Sequence, residues 1–157
     1  DPARIGVIGF SFGGVAAMLA ATRKFNGPFL GAGCFAAIMP VYPICHLYNR
    51  LPGFEFADLT DAPLLIVTGA LDGYDDDPEA GPTLAAALTP GERERVRTEV
   101  IAGAHHGFDL PGADWVVEDP AGHRGAGGKL SMTYNAAAAA RAHELAATFF
   151  SQALKPG

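Results

Sequence analysis

The sequence predicts an α/β fold, a three-layer sandwich in which a mostly parallel sheet is covered by helices on both faces. Three observations carry this prediction. Short apolar runs that read as strands alternate with longer runs that read as helices. Residues 4–14 spell a strand, a glycine-rich turn and a helix start. Serine, aspartate and histidine each fall just beyond a predicted strand, where open α/β sheets place their sites.

The first strand, 4–9, rests on Ile5, Val7 and Ile8, and the helix after it, 12–24, on the small apolar run Val15 to Ala21. A second strand is predicted over 33–39. Its approach, Gly31-Ala32-Gly33-Cys34-Phe35-Ala36, matches the dinucleotide fingerprint G-x-G-x-x-A, but Pro40 and Pro43 stand where that motif needs a helix. Residues 43–61 read as irregular. The run Pro63 to Gly69 is a continuous apolar strand, followed by a helix over 80–88 and a strand over 96–101. A long loop, 103–133, then leads to a last helix over 135–153, where Ala136 to Ala140, Leu145, Ala146, Phe149 and Phe150 supply an apolar face for the sheet. Within that loop, Gly122 to Lys129 hints at a phosphate-binding loop. The residue after Lys129 is Leu130 rather than Ser or Thr, so the segment reads as flexible.

Gly9-Phe10-Ser11-Phe12-Gly13 fits the G-x-S-x-G nucleophile elbow, and its flanks supply the strand and helix that the motif requires. A serine at the apex of so tight a turn sits in strained backbone, and glycines at 9 and 13 are expected to remove collisions between neighbouring turns. The helix that follows points free N–H groups and its positive end at the hydroxyl, which makes the Phe12 N–H a candidate oxyanion donor. Asp72 follows the strand ending at Gly69, and His105 and His106 follow the strand ending at Ile101. Residue chemistry leaves His105 and His106 as alternatives for a base. Asp75, Asp76 and Asp77 compete with Asp72 but read as a solvated surface run.

On these residues the chain resembles the α/β-hydrolase superfamily and, more narrowly, the dienelactone hydrolase family and its esterase relatives. The carriers are Gly9 to Gly14, Gly69-x-x-Asp72, and Gly103-Ala104-His105-His106-Gly107-Phe108-Asp109, with Val41-Tyr42-Pro43-x-Cys45 in support. The resemblance implies an α/β-hydrolase-type fold, with Ser11 as nucleophile, Asp72 as orienting acid and His106 as general base. Phe10, Tyr42 and Phe108 would line a substrate pocket, with Phe12 and Trp115 as further aromatic candidates. One residue departs from the family pattern: dienelactone hydrolases proper carry cysteine at the elbow, and this chain has Ser11. A hydroxyl needs a base, and the base needs a carboxylate to hold its tautomer, so a complete Ser-His-Asp set is demanded. The implied reaction is hydrolysis of a small carboxylic ester through an acyl-enzyme, with thioesterase or peptidase chemistry as alternatives.

Set against that family, the chain begins at the elbow strand and resembles the carboxyl-terminal half of the fold. The edge of the first strand is then expected to be open, and to associate with a second copy or with an amino-terminal half. The other half also normally carries the second oxyanion donor. A catalytically weak or silent domain acting through its open edge is therefore a further alternative.

Composition bounds the remainder. The 157 residues read as a single domain over 1–157, and 49% hydrophobic with 18% charged residues fits a well-buried α/β protein. A net charge of −6 offers no basic stripe for nucleic acid or anionic membrane, and no apolar run approaches membrane-spanning length. Neither zinc nor calcium spacing occurs, so no metal and no cofactor are expected. Cys34 and Cys45 read as free thiols. The segment Pro43 to Arg50 offers His46 and Arg50 either to a substrate carboxylate or, for Arg50, to a surface acid. No leader pattern is present in the residues given; the compartment stays open, with the cytoplasm the favoured reading.

Overall fold

Strands β1 (Gly6–Phe10), β2 (Ala37–Val41), β3 (Leu64–Gly69) and β4 (Val96–Ile101) form one parallel sheet in that order, in a computed structural model that describes residues 4–155. β2 and β3 are apolar on both faces because both faces are covered, so neither shows the polar alternation of a half-solvated strand. Ile38, Leu64 and Ile66 point to one face and pack with Val15, Ala17 and Met18 of α1 (Phe12–Ala20) and with Leu84 of α3 (Ala80–Ala86). Met39, Val41, Leu65 and Val67 point to the other and meet Ala138, Ala142, Leu145 and Phe149 of α6 (Ala136–Ala153). Each such large side chain taken fully out of water contributes roughly 1.5–3 kcal/mol, so the two clusters dominate the stability of the fold.

The helix expected over 12–24 is two helices. α1 ends at Ala20, and α2 (Arg23–Leu30) begins after Thr22, whose backbone is extended and forms a bridge with Leu59. Thr22 is buried and its hydroxyl donates to the Leu19 carbonyl at 2.8 Å, so a polar residue ends the first helix from within. The second strand also moves: it runs over Ala37–Val41 rather than 33–39 and contains Pro40. A short helix α4 (Pro90–Arg93), closed by a Thr89/Glu92 capping box, precedes β4.

The largest correction concerns the loop expected over 103–133. It contains an antiparallel hairpin, β5 (Asp114–Asp119) and β6 (Gly128–Thr133), joined by the kinked turn α5 (Gly122–Gly125). Its glycines mark a tight hairpin tip, where His123 and Arg124 both take left-handed backbone. Leu130 is buried, with its side chain against Gly73 in the loop after β3 and Gly122 at the tip.

β1 pairs with β2 on one side, and among the described residues nothing pairs with its other side. Ile8 and Phe10 on this strand and Ile5 just before it are 41–50% exposed, and Phe12 and Phe29 are more than 80% exposed. Among the described residues no helix is long and apolar enough to cross a membrane.

Candidate active site

Parallel register brings the carboxyl ends of the four strands to one edge: Phe10 lies opposite Val41, Val41 opposite Val67, and Gly69 opposite Ile101. Ser11, Tyr42, Asp72 and His106 lie in the connections just past that edge.

Ser11 has φ 53 and ψ −118, a conformation that non-glycine residues rarely hold, and its N–H donates to the Val41 carbonyl at 3.1 Å. The turn is tight enough that a Cβ on Gly9 would lie 2.0 Å from the Gly13 carbonyl oxygen. Gly13 itself faces open space, so the expectation of a collision there is corrected. The second sterically required glycine is Gly14, where a Cβ would lie 2.8 Å from the Val41 carbonyl oxygen. Gly14 lets α1 settle directly on the end of β2. Phe12 opens α1, so its N–H has no acceptor within the helix, while its side chain projects outward.

A continuous hydrogen-bond chain runs through the site. His106 Nε2 lies 2.8 Å from Ser11 Oγ, and His106 Nδ1 lies 2.8 Å from Asp72 Oδ2. A carboxylate only accepts, so Nδ1 carries a proton and Nε2 is free to accept from the serine hydroxyl. The other oxygen of Asp72 accepts from the Tyr74 N–H at 2.9 Å, which leaves this buried carboxylate bonded on both oxygens. His105 is half-buried and makes no bond to Ser11 or Asp72 among the described residues.

Tyr42 and Tyr74 flank the His106 ring, with centroids 4.6 and 4.5 Å away. Each is tied down by a carboxylate, Tyr42 by Asp109 at 2.6 Å and Tyr74 by Asp119 at 2.7 Å. Burial first, and then these bonds, push both phenols above their ordinary values, so both remain neutral donors. Tyr42 is nearly inaccessible, and Phe108 is wholly buried and packs edge-on against it. Neither residue lines an open pocket as expected; Tyr42 packs on the histidine ring and Phe108 backs Tyr42. Of the three aromatic residues assigned to substrate, Phe10 remains accessible, as do Phe12 and Trp115.

The acidic run after Asp72 is structured: Asp75 is buried, which overturns its reading as a solvated residue, while Asp76 and Asp77 stay partly accessible but are ion-paired. Asp75 accepts from the backbone N–H groups of Cys45 and His46 and from His46 Nδ1. Burial lifts its pKa, against the opposing effect of those two backbone bonds. Asp76 pairs with His123 and Asp77 with Arg124, and Arg124 Nε also donates to the Asp75 carbonyl at 2.6 Å. The hairpin tip therefore clamps the loop that carries Asp72. Sequence reading missed this clamp, although the aromatic and β-branched run Trp115-Val116-Val117 and the tip glycines were available signals. Cys34 and Cys45 are both free thiols.

The two ring nitrogens of His123 face Asp76 and the Lys129 carbonyl, so both bonds form only when the ring is protonated. The Asp76 bond first, and then the carbonyl, raise its pKa above the ordinary histidine value. A raised folded-state value stabilises fully below the unfolded pKa of about 6.5 and is lost as pH rises through the folded value. The melting-temperature advantage of the native chain over His123→Gln is accordingly expected to be largest near about pH 5.5. It should shrink at higher pH, and a difference independent of pH would remove the clamp's proton dependence.

No curated protein matches the sequence. The dienelactone hydrolase family profile matches residues 1–154. Among solved structures, an α/β hydrolase from a Medee basin deep-sea metagenome library aligns at TM-score 0.58 and 18% identity, over 98% of this chain and 56% of that one. A dienelactone hydrolase-like promiscuous phosphotriesterase from metagenomic libraries aligns at TM-score 0.60 and 20% identity, over 98% of this chain and 54% of that one. The chain thus spans about half the length of these structures, and at such identities the likeness speaks for the α/β-hydrolase fold alone. With the family profile running through nearly every element described above, the chain belongs to the dienelactone hydrolase family of hydrolases.

Proposed function

We propose that this chain is a serine hydrolase of small carboxylic esters. The observation that carries the reading is the Ser11 Oγ, His106 Nε2, Nδ1, Asp72 Oδ2 sequence, with 2.8 Å at both links. Ser11 attacks the ester carbonyl while His106 takes its proton at Nε2. Asp72 holds Nδ1–H and stabilises the imidazolium that forms. The oxyanion meets the Phe12 N–H at the positive end of α1. His106 then returns its proton to the leaving alcohol, and a water deprotonated at the same nitrogen opens the acyl-enzyme. Phe10 and Phe12, both accessible beside Ser11, supply apolar surface to the substrate.

Labelling with a fluorophosphonate, read by intact mass, tests this reading. Stoichiometric addition that vanishes in Ser11→Ala is expected. Labelling that survives the substitution would refute the nucleophile. Labelling reports an activated nucleophile independently of the rate of turnover.

The open side of β1 supports a second part of the proposal, association through that edge with another copy of the chain or with an amino-terminal half. Concentration-dependent assembly in analytical ultracentrifugation is expected, and Ile8→Lys should weaken it, because a charge on an edge strand opposes strand addition. A chain that stays monomeric at every concentration would refute self-association. Assembly without labelling would favour the catalytically silent reading over the esterase.

A further inference from the structure

We propose a second ligand site, outside the Ser11 centre, that binds the carboxylate of a short aliphatic acid. It is a cavity of about 240 Å³ between the segment after β2, α3 and the hairpin tip, bordered by His46, Arg50, Arg124 and Asp77, with Tyr48 and Leu84 on its apolar side. None of its residues belongs to the Ser11, His106, Asp72 chain.

The charged side chains at the cavity are two arginines and one aspartate, a surplus of one positive charge. Asp77 is already engaged by Arg124 at 2.8 Å. Among the described residues no carboxylate lies within ion-pair distance of Arg50, which corrects the expectation that it pairs with a surface acid and leaves its guanidinium fork available to an incoming anion.

His46 makes this a built site. Its side chain is 92% buried, from an exposure of 8%, and its Nδ1 is fixed by Asp75 at 3.2 Å. Nδ1 therefore carries the proton, and Nε2 is the nitrogen left without a partner among the described residues. Asp75 holds Nδ1–H and so fixes the ring's orientation; a carboxylate in the cavity accepts from Nε2 only when that nitrogen also carries a proton. Asp75 does not border the cavity, and its oxygens are occupied by the Cys45 and His46 N–H groups, so it does not repel the ligand directly.

The apolar side decides the ligand class. Tyr48 and Leu84 offer nothing to an inorganic oxyanion but suit an alkyl chain. The cavity, about 240 Å³, has room for a short alkyl chain behind the carboxylate, and hexanoate serves as the probe. The site also borders the loop bearing Asp72, since the Asp76 N–H donates to the Asp72 carbonyl at 3.0 Å within the same turn as Asp75.

Calorimetric titration of the native chain with hexanoate, hexanol and inorganic phosphate tests the assignment. Saturable hexanoate binding, absent for hexanol, is expected. Arg50→Ala should weaken it by about tenfold or more, the loss of a charge-assisted bidentate contact, and Arg50→Lys should weaken it less. Arg50 is exposed, so these variants should keep the native melting temperature, and His46→Gln provides a second, independent probe. Ser11→Ala should bind as the native chain does. Failure of hexanoate to bind, binding unchanged in Arg50→Ala, or loss in Ser11→Ala but not in Arg50→Ala would each overturn the site. Phosphate binding as tightly as hexanoate would overturn the carboxylate assignment.

Discussion

His106→Ala is expected to reduce kcat/KM for ester hydrolysis by about 10⁴–10⁶, the range seen when the base of a serine triad is removed, whereas His105→Ala should keep most of the activity. The two residues are neighbours of the same type, so the contrast isolates geometry. His106 alone has a ring nitrogen 2.8 Å from Ser11 Oγ and another 2.8 Å from Asp72. Its ring is gripped by Tyr42 and Tyr74, whose hydroxyls are held by Asp109 and Asp119, so the imidazole has little freedom to leave the serine. Equal losses in the two variants would show that the local fold, and not the base, had been disturbed. Loss confined to His105→Ala would move the catalytic role.

Gly9→Ala is expected to abolish both fluorophosphonate labelling and cooperative melting, or to lower the melting temperature steeply. Its Cβ would lie 2.0 Å from the Gly13 carbonyl oxygen and 2.5 Å from its carbon. Both are backbone atoms at the start of α1, so relief requires the helix to move off the strand that positions Ser11. Overpacking commonly costs about 1–3 kcal/mol even where side chains can yield, and here only main chain is available to yield. Gly13→Ala provides the control. It meets nothing within 4 Å and lies inside α1, so it should hold or raise stability by about 0.5–1 kcal/mol through the lower entropy of the unfolded chain. A Gly9→Ala protein that melts and labels like the native chain would mean that the elbow is looser than this geometry requires.

Local chemistry made much of the site legible. A serine between glycines, flanked by an apolar strand and a small-residue helix, has few ways to fold other than an elbow, and strands of continuous β-branched and aliphatic residues must be covered on both faces. The residues that support the site were harder to read, because their roles are long-range. Tyr42 and Phe108 are aromatic, and aromatic residues look alike in sequence whether they line a pocket or brace a ring; burial assigns them to bracing. The burial of Asp75 and the pairing of Asp76 and Asp77 were not legible because their partners, Cys45, His46, His123 and Arg124, lie about 30 to 50 positions away along the chain. The hairpin went unread because its glycine-rich tip resembles a loop, while the left-handed backbone that those glycines accompany serves the turn.

The sequence by itself determined the α/β class, the elbow at Ser11, the chain order of serine, aspartate and histidine, and membership of the hydrolase family, since each depends on short-range periodicity or on a compact motif. The tertiary structure alone decided which of two adjacent histidines meets the serine, which of four aspartates meets the histidine, and that the hairpin tip clamps the loop carrying that aspartate. The physical reason is register. The pairing of β1 with β2, β2 with β3 and β3 with β4 sets where each connecting loop begins, and a hydrogen bond of 2.8 Å between groups 34 or 95 residues apart is specified by that alignment and by no local signal.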